Sequence, residues 1–101
     1  MFAGNEGEKI TLETAAKFTE NYRKSEKAGA IKAEFFGEES LSEILIQENC
    51  VGIRFYFGKH ENGNLNIVAV GCDKNGEDLY DGIILEKGGP CPPYCPEESP
   101  L

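Results

Sequence analysis

Cys91 and Cys95 are the residues of this chain best spaced to do chemistry, inside Gly88-Gly89-Pro90-Cys91-Pro92-Pro93-Tyr94-Cys95-Pro96. Two thiols held four positions apart by stiff prolines could grip one metal ion between them. Structural zinc takes two such knuckles, however, and here there is one. Cys50 and Cys72 would have to complete the set from within or beside strands. A reversible Cys91–Cys95 disulfide is the alternative. The usual redox pair has two intervening residues and opens a helix, which prolines on both sides forbid. The mechanical reading is a polyproline-like strap that docks Tyr94 and both cysteines onto an open part of the sheet. A tail displayed for a partner is the runner-up.

Other reactive groups are sparse. His60 is the only histidine, beside Asn62-Gly63, and a nucleophile-and-base pair would need a distant thiol such as Cys72. A two-residue hairpin loop would put His60 and Cys72 on opposite faces, so no nucleophile and base converge. Asp73-x-Asn75-x-Glu77 spaces oxygens like the start of a calcium loop. Its glycine falls at the fourth place, and Ile84 stands where a bidentate carboxylate is required. A turn explains every residue there. Acidic catalysis through Asp81 or Glu86 has no support beyond the abundance of acids, because 18 Asp and Glu in this chain make chance pairs certain. The sequence predicts no enzyme and no cofactor.

The elements that must position these groups follow from periodicity. Leu12, Ala15, Phe18, Thr19 and Tyr22 share one side of a 3.6-residue period, and Glu13, Lys17, Glu20 and Lys24 the other. That pattern predicts a helix over about 12–27, capped by Thr11 and ended near Gly29. Residues 31–36 alternate as a short strand. Ser40-Leu41-Ser42-Glu43 has the capping-box form, predicting a helix over about 41–48 that buries Leu41, Ile44 and Leu45. Residues 51–58 and 65–72 are the strongest strands, and Asn62-Gly63 suits a tight hairpin. With two loop residues, paired positions sum to 125. Ile53, Phe55, Phe57, Val68, Val70 and Cys72 then form one apolar face. Tyr56, Leu65, Ile67 and Ala69 lie on the other, half-apolar face. Residues 79–85 return as a third strand with a bulge at Asp81-Gly82.

One hundred and one residues make one domain, burying roughly two-thirds of the unfolded surface. All five prolines lie at or after Pro90. The division is therefore an α+β body over 1–87 and a Pro/Cys-rich tail over 88–101. A formal net charge of −8 argues against a phosphate-backbone binder, which needs surplus cations. The start of the chain lacks a basic segment followed by an apolar run, and no stretch has the length of a membrane span. The expectation is a cytoplasmic protein whose four cysteines stay thiols.

Cys50-Val51-Gly52-Ile53-Arg54-Phe55-Tyr56-Phe57-Gly58, Glu61-Asn62-Gly63, Ile67-Val68-Ala69-Val70-Gly71, Asn75-Gly76-Glu77-Asp78 and Cys91-Pro92-Pro93-Tyr94-Cys95-Pro96 occur in that order. Together with the helix opening Ile10-Thr11-Leu12, they cover most of residues 10–101. On these motifs the chain resembles a family of short, uncharacterised bacterial proteins with a C-terminal Cys-Pro-Pro-x-Cys tail. That family has no established activity. The resemblance implies the element order and the tail as a standing feature, and carries over no functional residue.

The expected architecture is α+β, with two helices on one face of a small antiparallel sheet. That sheet is a three-stranded meander, with 31–36 at its edge or outside it. The expected function is a non-enzymatic protein-interaction module, whose partner is another protein or a second copy. Its candidate surface is Tyr56, Leu65, Ile67 and Tyr94. The alternative is a metal-binding or redox-responsive protein that uses Cys91 and Cys95.

Overall fold

The computed structural model describes residues 1–101. In chain order the elements are α1 (Leu12–Ser25), β1 (Ala33–Phe35), α2 (Glu38–Leu45), β2 (Gly52–Lys59), β3 (Leu65–Cys72), β4 (Ile84–Leu85) and β5 (Gly89–Cys91). Two helices and two antiparallel sheets make an α+β fold. One sheet is the meander β2-β3-β4, and the other is the ribbon β1-β5. No helix is long and apolar enough to cross a membrane.

Thr11 caps α1 as its position predicts, its hydroxyl accepting the Thr14 N–H at 3.1 Å. Gly29 follows the helix with φ +84, a conformation that costs glycine nothing. The apolar stripe of α1 is not buried: Leu12, Phe18 and Tyr22 are all exposed. The helix lies beside the ribbon and the chain end, where the Tyr22 hydroxyl donates to the Ile31 carbonyl and Arg23 to the Leu101 carbonyl.

The second helix starts three residues before the expected place. Gly37 is its N-cap, without a side-chain bond, and Ser40 stands inside the helix. Glu38 and Glu39 in the first turn favour this earlier start, because carboxylates there complement the unpaired N–H groups of the helix end. Ile44 is fully buried, whereas Leu45 is half-exposed.

The hairpin register differs from expectation by one residue. His60 N–H donates to the Asn64 carbonyl at 2.8 Å, and Gly63 N–H to the His60 carbonyl at 2.9 Å. The loop is therefore Glu61-Asn62-Gly63, three residues, with Gly63 at φ +88. Pairs run Gly52↔Cys72, Arg54↔Val70, Tyr56↔Val68 and Lys59↔Leu65. A slip of one exchanges the faces of one strand against the other. One face now holds Ile53, Phe55 and Phe57 with Gly71, Ala69 and Ile67, and it receives α2. A Cβ on Gly71 would stand 3.2 Å from Ile44 Cγ2 and 3.0 Å from Cys50 Sγ. The other face holds Gly52, Arg54, Tyr56 and Gly58 with Cys72, Val70, Val68 and Asn66.

The expected third strand is mostly turn. Asp73 Oδ1 accepts the N–H groups of Asn75 and Glu77, an Asx turn that uses the carboxylate on its own backbone. Asp78 bridges to Cys72, and regular pairing resumes only at Ile84 and Leu85.

The 31–36 segment stands outside the meander. Its residues 33–35 pair with the tail as Ala33↔Cys91, Glu34↔Pro90 and Phe35↔Gly89. Proline suits β5 because a two-stranded ribbon leaves every strand an open edge. A Cβ on Gly88 would lie 2.5 Å from the Phe35 carbonyl, so the close approach of the two segments needs glycine there. The first part of the Pro/Cys-rich tail is thus a paired strand on the body.

Candidate functional site

Three groups of residues could act on something outside the chain: the Cys91–Cys95 tail, the candidate surface around Tyr56, and a polar cluster on β2.

Cys91 and Cys95 are joined in a disulfide, with Cα atoms 4.8 Å apart. This replaces the expectation of four free thiols; Cys50 and Cys72 alone are free. The reason is local. Tyr94 N–H donates to the Pro90 carbonyl and Cys95 N–H to the Pro93 carbonyl, folding the tail back on itself. The Cys91-Pro92 and Pro92-Pro93 bonds are cis. Cys91 is buried at the end of β5. In this state neither sulfur is a thiolate, the form that binds a metal or attacks an electrophile. No group of three or more His, Cys, Asp and Glu side chains is gathered elsewhere.

Tyr94 is 72% exposed, so the tail docks through its strand and Cys91 while its aromatic side chain faces solvent. The corrected register divides the rest of the candidate surface. Tyr56 lies on one face of the sheet, and Leu65 and Ile67 lie on the other. These residues do not form a single patch. His60 and Cys72 also change relation. Both occupy even positions and share a face, but at opposite ends of the hairpin, about 25 Å apart along the strands. His60 instead stands 4.0 Å from Glu86 on the surface.

The sequence reading missed the polar cluster. Arg54 Nη1 donates to Asp78 Oδ1 at 2.6 Å and to the Gly76 carbonyl at 3.1 Å. The Tyr56 hydroxyl donates to Asp78 Oδ2, and the Cys72 thiol to Oδ1 at 3.2 Å. The Arg54 guanidinium also lies over the Phe2 ring, 5.7 Å from its centre. The signal available was the alternation of Arg54 and Tyr56 on one strand face. Only the pairing of Cys72 with Asp78 brings a carboxylate to them.

The electrostatics follow from these bonds. The Tyr56 hydroxyl, the Cys72 thiol and Arg54 hold the Asp78 carboxyl below the usual range. The same carboxylate raises the Arg54 and Tyr56 values. Burial, then the bond to Asp78, pushes the Cys72 thiol up to about 11. Asp78 accepts from three side chains and has no proton to give. Cys72 is a neutral thiol at pH 7. The cluster braces β2 against the 73–78 turn and holds no activated base or nucleophile.

Two depressions flank these groups. A cleft of about 280 Å³ lies between the N-terminal segment and β2, lined by Phe2, Glu6, Val51, Ile53, Arg54 and Cys72. Glu6 there is turned on its own backbone, accepting from Ala3 and Gly4, which lowers its pKa. A groove of about 520 Å³ runs between α1 and the ribbon, past Phe18, Tyr22, Arg23, Lys32, Cys91 and Leu101.

The fold and these groups define a small α+β domain with braced strands, a disulfide-closed tail and wide apolar exposure. No family model, curated protein or solved structure matches the chain.

Proposed function

We propose that this protein is a non-enzymatic interaction module that works by covering its exposed apolar surface with another protein chain. One observation carries this reading. The chain exposes 7902 Å², where a compact monomer of its mass exposes about 5,700 Å². Its radius of gyration, 15.1 Å, likewise exceeds the roughly 13 Å of a compact chain this long. Large apolar side chains are among the exposed residues: Phe57 is 81% exposed and Phe35 70%, and Phe18 and Ile46 are similarly open. Scattered exposed apolar residues are ordinary. Aromatic side chains exposed on a helix, both sheets and the tail exceed that background.

The test combines sedimentation equilibrium with affinity capture. The expected result is a mass above that of one chain, or a captured protein, lost in a Phe18→Ser/Phe35→Ser/Phe57→Ser variant. A strict monomer that captures nothing would overturn the reading.

The disulfide favours a second reading, a redox-responsive tail. In reducing surroundings such a bond belongs to proteins that cycle it. The reduced pair is also where a metal ion would be taken up. Intact-mass measurement of protein kept in a glutathione buffer tests it. A mixture of forms differing by two hydrogens supports cycling, and a permanently oxidised pair counts against it.

A further inference from the structure

We propose that the partner is a second copy of this chain, paired edge to edge along β2 across a two-fold axis. The proposal rests on the interaction reading above and names its occupant.

The meander order β2-β3-β4 leaves β2 at an edge. The bond from His60 N–H to the Asn64 carbonyl sets the phase of the hairpin ladder. Even-numbered residues of β2 turn their backbone groups toward β3. Those of Ile53, Phe55, Phe57 and Lys59 turn outward. Leu79 N–H donating to the Gly71 carbonyl, on the far side of β3, fits the same phase. No backbone or side-chain group of the chain bonds the outward set.

Natural edge strands are guarded by proline, by bulges, by inward charges or by shortness. From Phe55 to Phe57 this edge has none of these, while the N-terminal segment stands beside its Val51–Arg54 end. It spans eight residues, and its one charge before Lys59, Arg54, is tied to Asp78. The opposite edge, β4, has two residues and cannot template a long partner. One long open edge and one short one allow a closed dimer and oppose a growing fibre.

Pairing centred on Tyr56 engages all the outward residues at once. Ile53 of each copy then faces Lys59 of the other, and Phe55 faces Phe57. The two-fold keeps Ile53, Phe55 and Phe57 of both copies on one face, joining two half-exposed aromatic rows into one. Phe55 is 49% exposed and Phe57 81%, so each has surface to lose. The net charge of −8 is not concentrated at this contact, where the charged groups are Lys59 and an Arg54 already neutralised by Asp78. In this register the two Lys59 side chains stand at opposite ends, beyond screening distance. The surface excess of roughly 2,200 Å² also exceeds the roughly 800 Å² that each partner gives to a standard interface.

Sedimentation equilibrium of the full chain from 1 µM to 1 mM (a span of Kd on the order of typical weak to moderate dimers) tests the pairing. The expected result is a reversible dimer of twice 11.1 kDa. Phe57→Pro removes an outward N–H from each copy and leaves the β3 ladder intact. It is expected to raise Kd by roughly 30-fold. Phe57→Lys, at an exposed side chain, is the second variant should the proline unfold the strand, and it too is expected to weaken the dimer. Tyr56→Cys is expected to cross-link two copies on oxidation, at the two-fold axis, where Phe55→Cys is not. A wild-type dimer unaffected by either Phe57 substitution overturns the proposal, and so does cross-linking at 55 in place of 56. A wild type monomeric throughout the range also overturns it. If that monomer still captures another protein through its aromatic surface, the interaction reading survives; if it captures nothing, both fall.

Discussion

Arg54 on β2 and Asp78 after β3 meet at 2.6 Å, 24 positions apart in sequence, and this contact ties the meander to the turn that follows it. Both side chains are partly exposed, so the pair is screened by salt. Because folding lowers the Asp78 pKa, its stabilisation is fully present above the unfolded carboxylate value of about 3.9. It is lost as pH falls through the lower, folded value. The urea midpoints of wild type and Asp78→Asn are expected to differ most at neutral pH and to converge toward acid. A constant difference across that window would show that the carboxylate charge plays no part.

Cys72 and Cys50 are expected to separate by reactivity. Cys72 is buried and its thiol is pushed up to about 11, whereas Cys50 is only half-buried. Iodoacetamide at pH 8 should modify Cys50 first, and Cys72 at a rate near that of unfolding. The raised thiol pKa also predicts that stability falls as pH rises from about 9, its unfolded value, toward about 11. Cys72→Ala is expected to lack that alkaline loss. Equal labelling rates in the native protein would contradict the burial of Cys72.

Ile44 is the one large side chain buried completely, and it carries the contact of α2 with the sheet. Ile44→Ala is expected to cost about 2–5 kcal/mol in denaturant unfolding. Gly71→Ala pushes a methyl against Ile44, Gln47 and Cys50 and is expected to cost about 1–3 kcal/mol. A Gly71→Ala variant as stable as wild type would mean that α2 sits farther from β3.

Cys95→Ser should act on the ribbon and spare the meander. The disulfide closes a loop of very few residues, so its removal is expected to cost about 2 kcal/mol by the chain-entropy estimate. Hydrogen exchange should quicken at Lys32, whose N–H donates to the Cys91 carbonyl at 2.8 Å, while β3 amides keep their protection. Uniform loss of protection would instead show that ribbon and meander unfold as one unit.

Much of the fold is legible from local chemistry. The Thr11 cap, the positive φ at Gly29 and Gly63, the β2–β3 hairpin and the burial of Ile44 each depend on neighbours in sequence. The loop length is less legible. Glu61-Asn62-Gly63 suits two or three loop residues almost equally, and one residue decides which face every side chain takes. That one residue places Tyr56 on the opposite face from Leu65 and Ile67. The start of α2 moved because Gly37-Glu38-Glu39 offers a helix end as good as the Ser40 capping box.

By itself the sequence determined one acidic α+β chain, with its helices and its main hairpin, because periodicity and turn chemistry are local properties. It also marked the tail as the unusual segment. The tertiary structure alone decided that this tail becomes a strand on β1, that Cys91 bonds Cys95, and that Asp78 reaches Arg54 and Tyr56. Each of these requires segments to meet in space. The bonds at stake on the two sides of such a meeting differ by too little, and depend too much on register, for a one-dimensional pattern to choose between them.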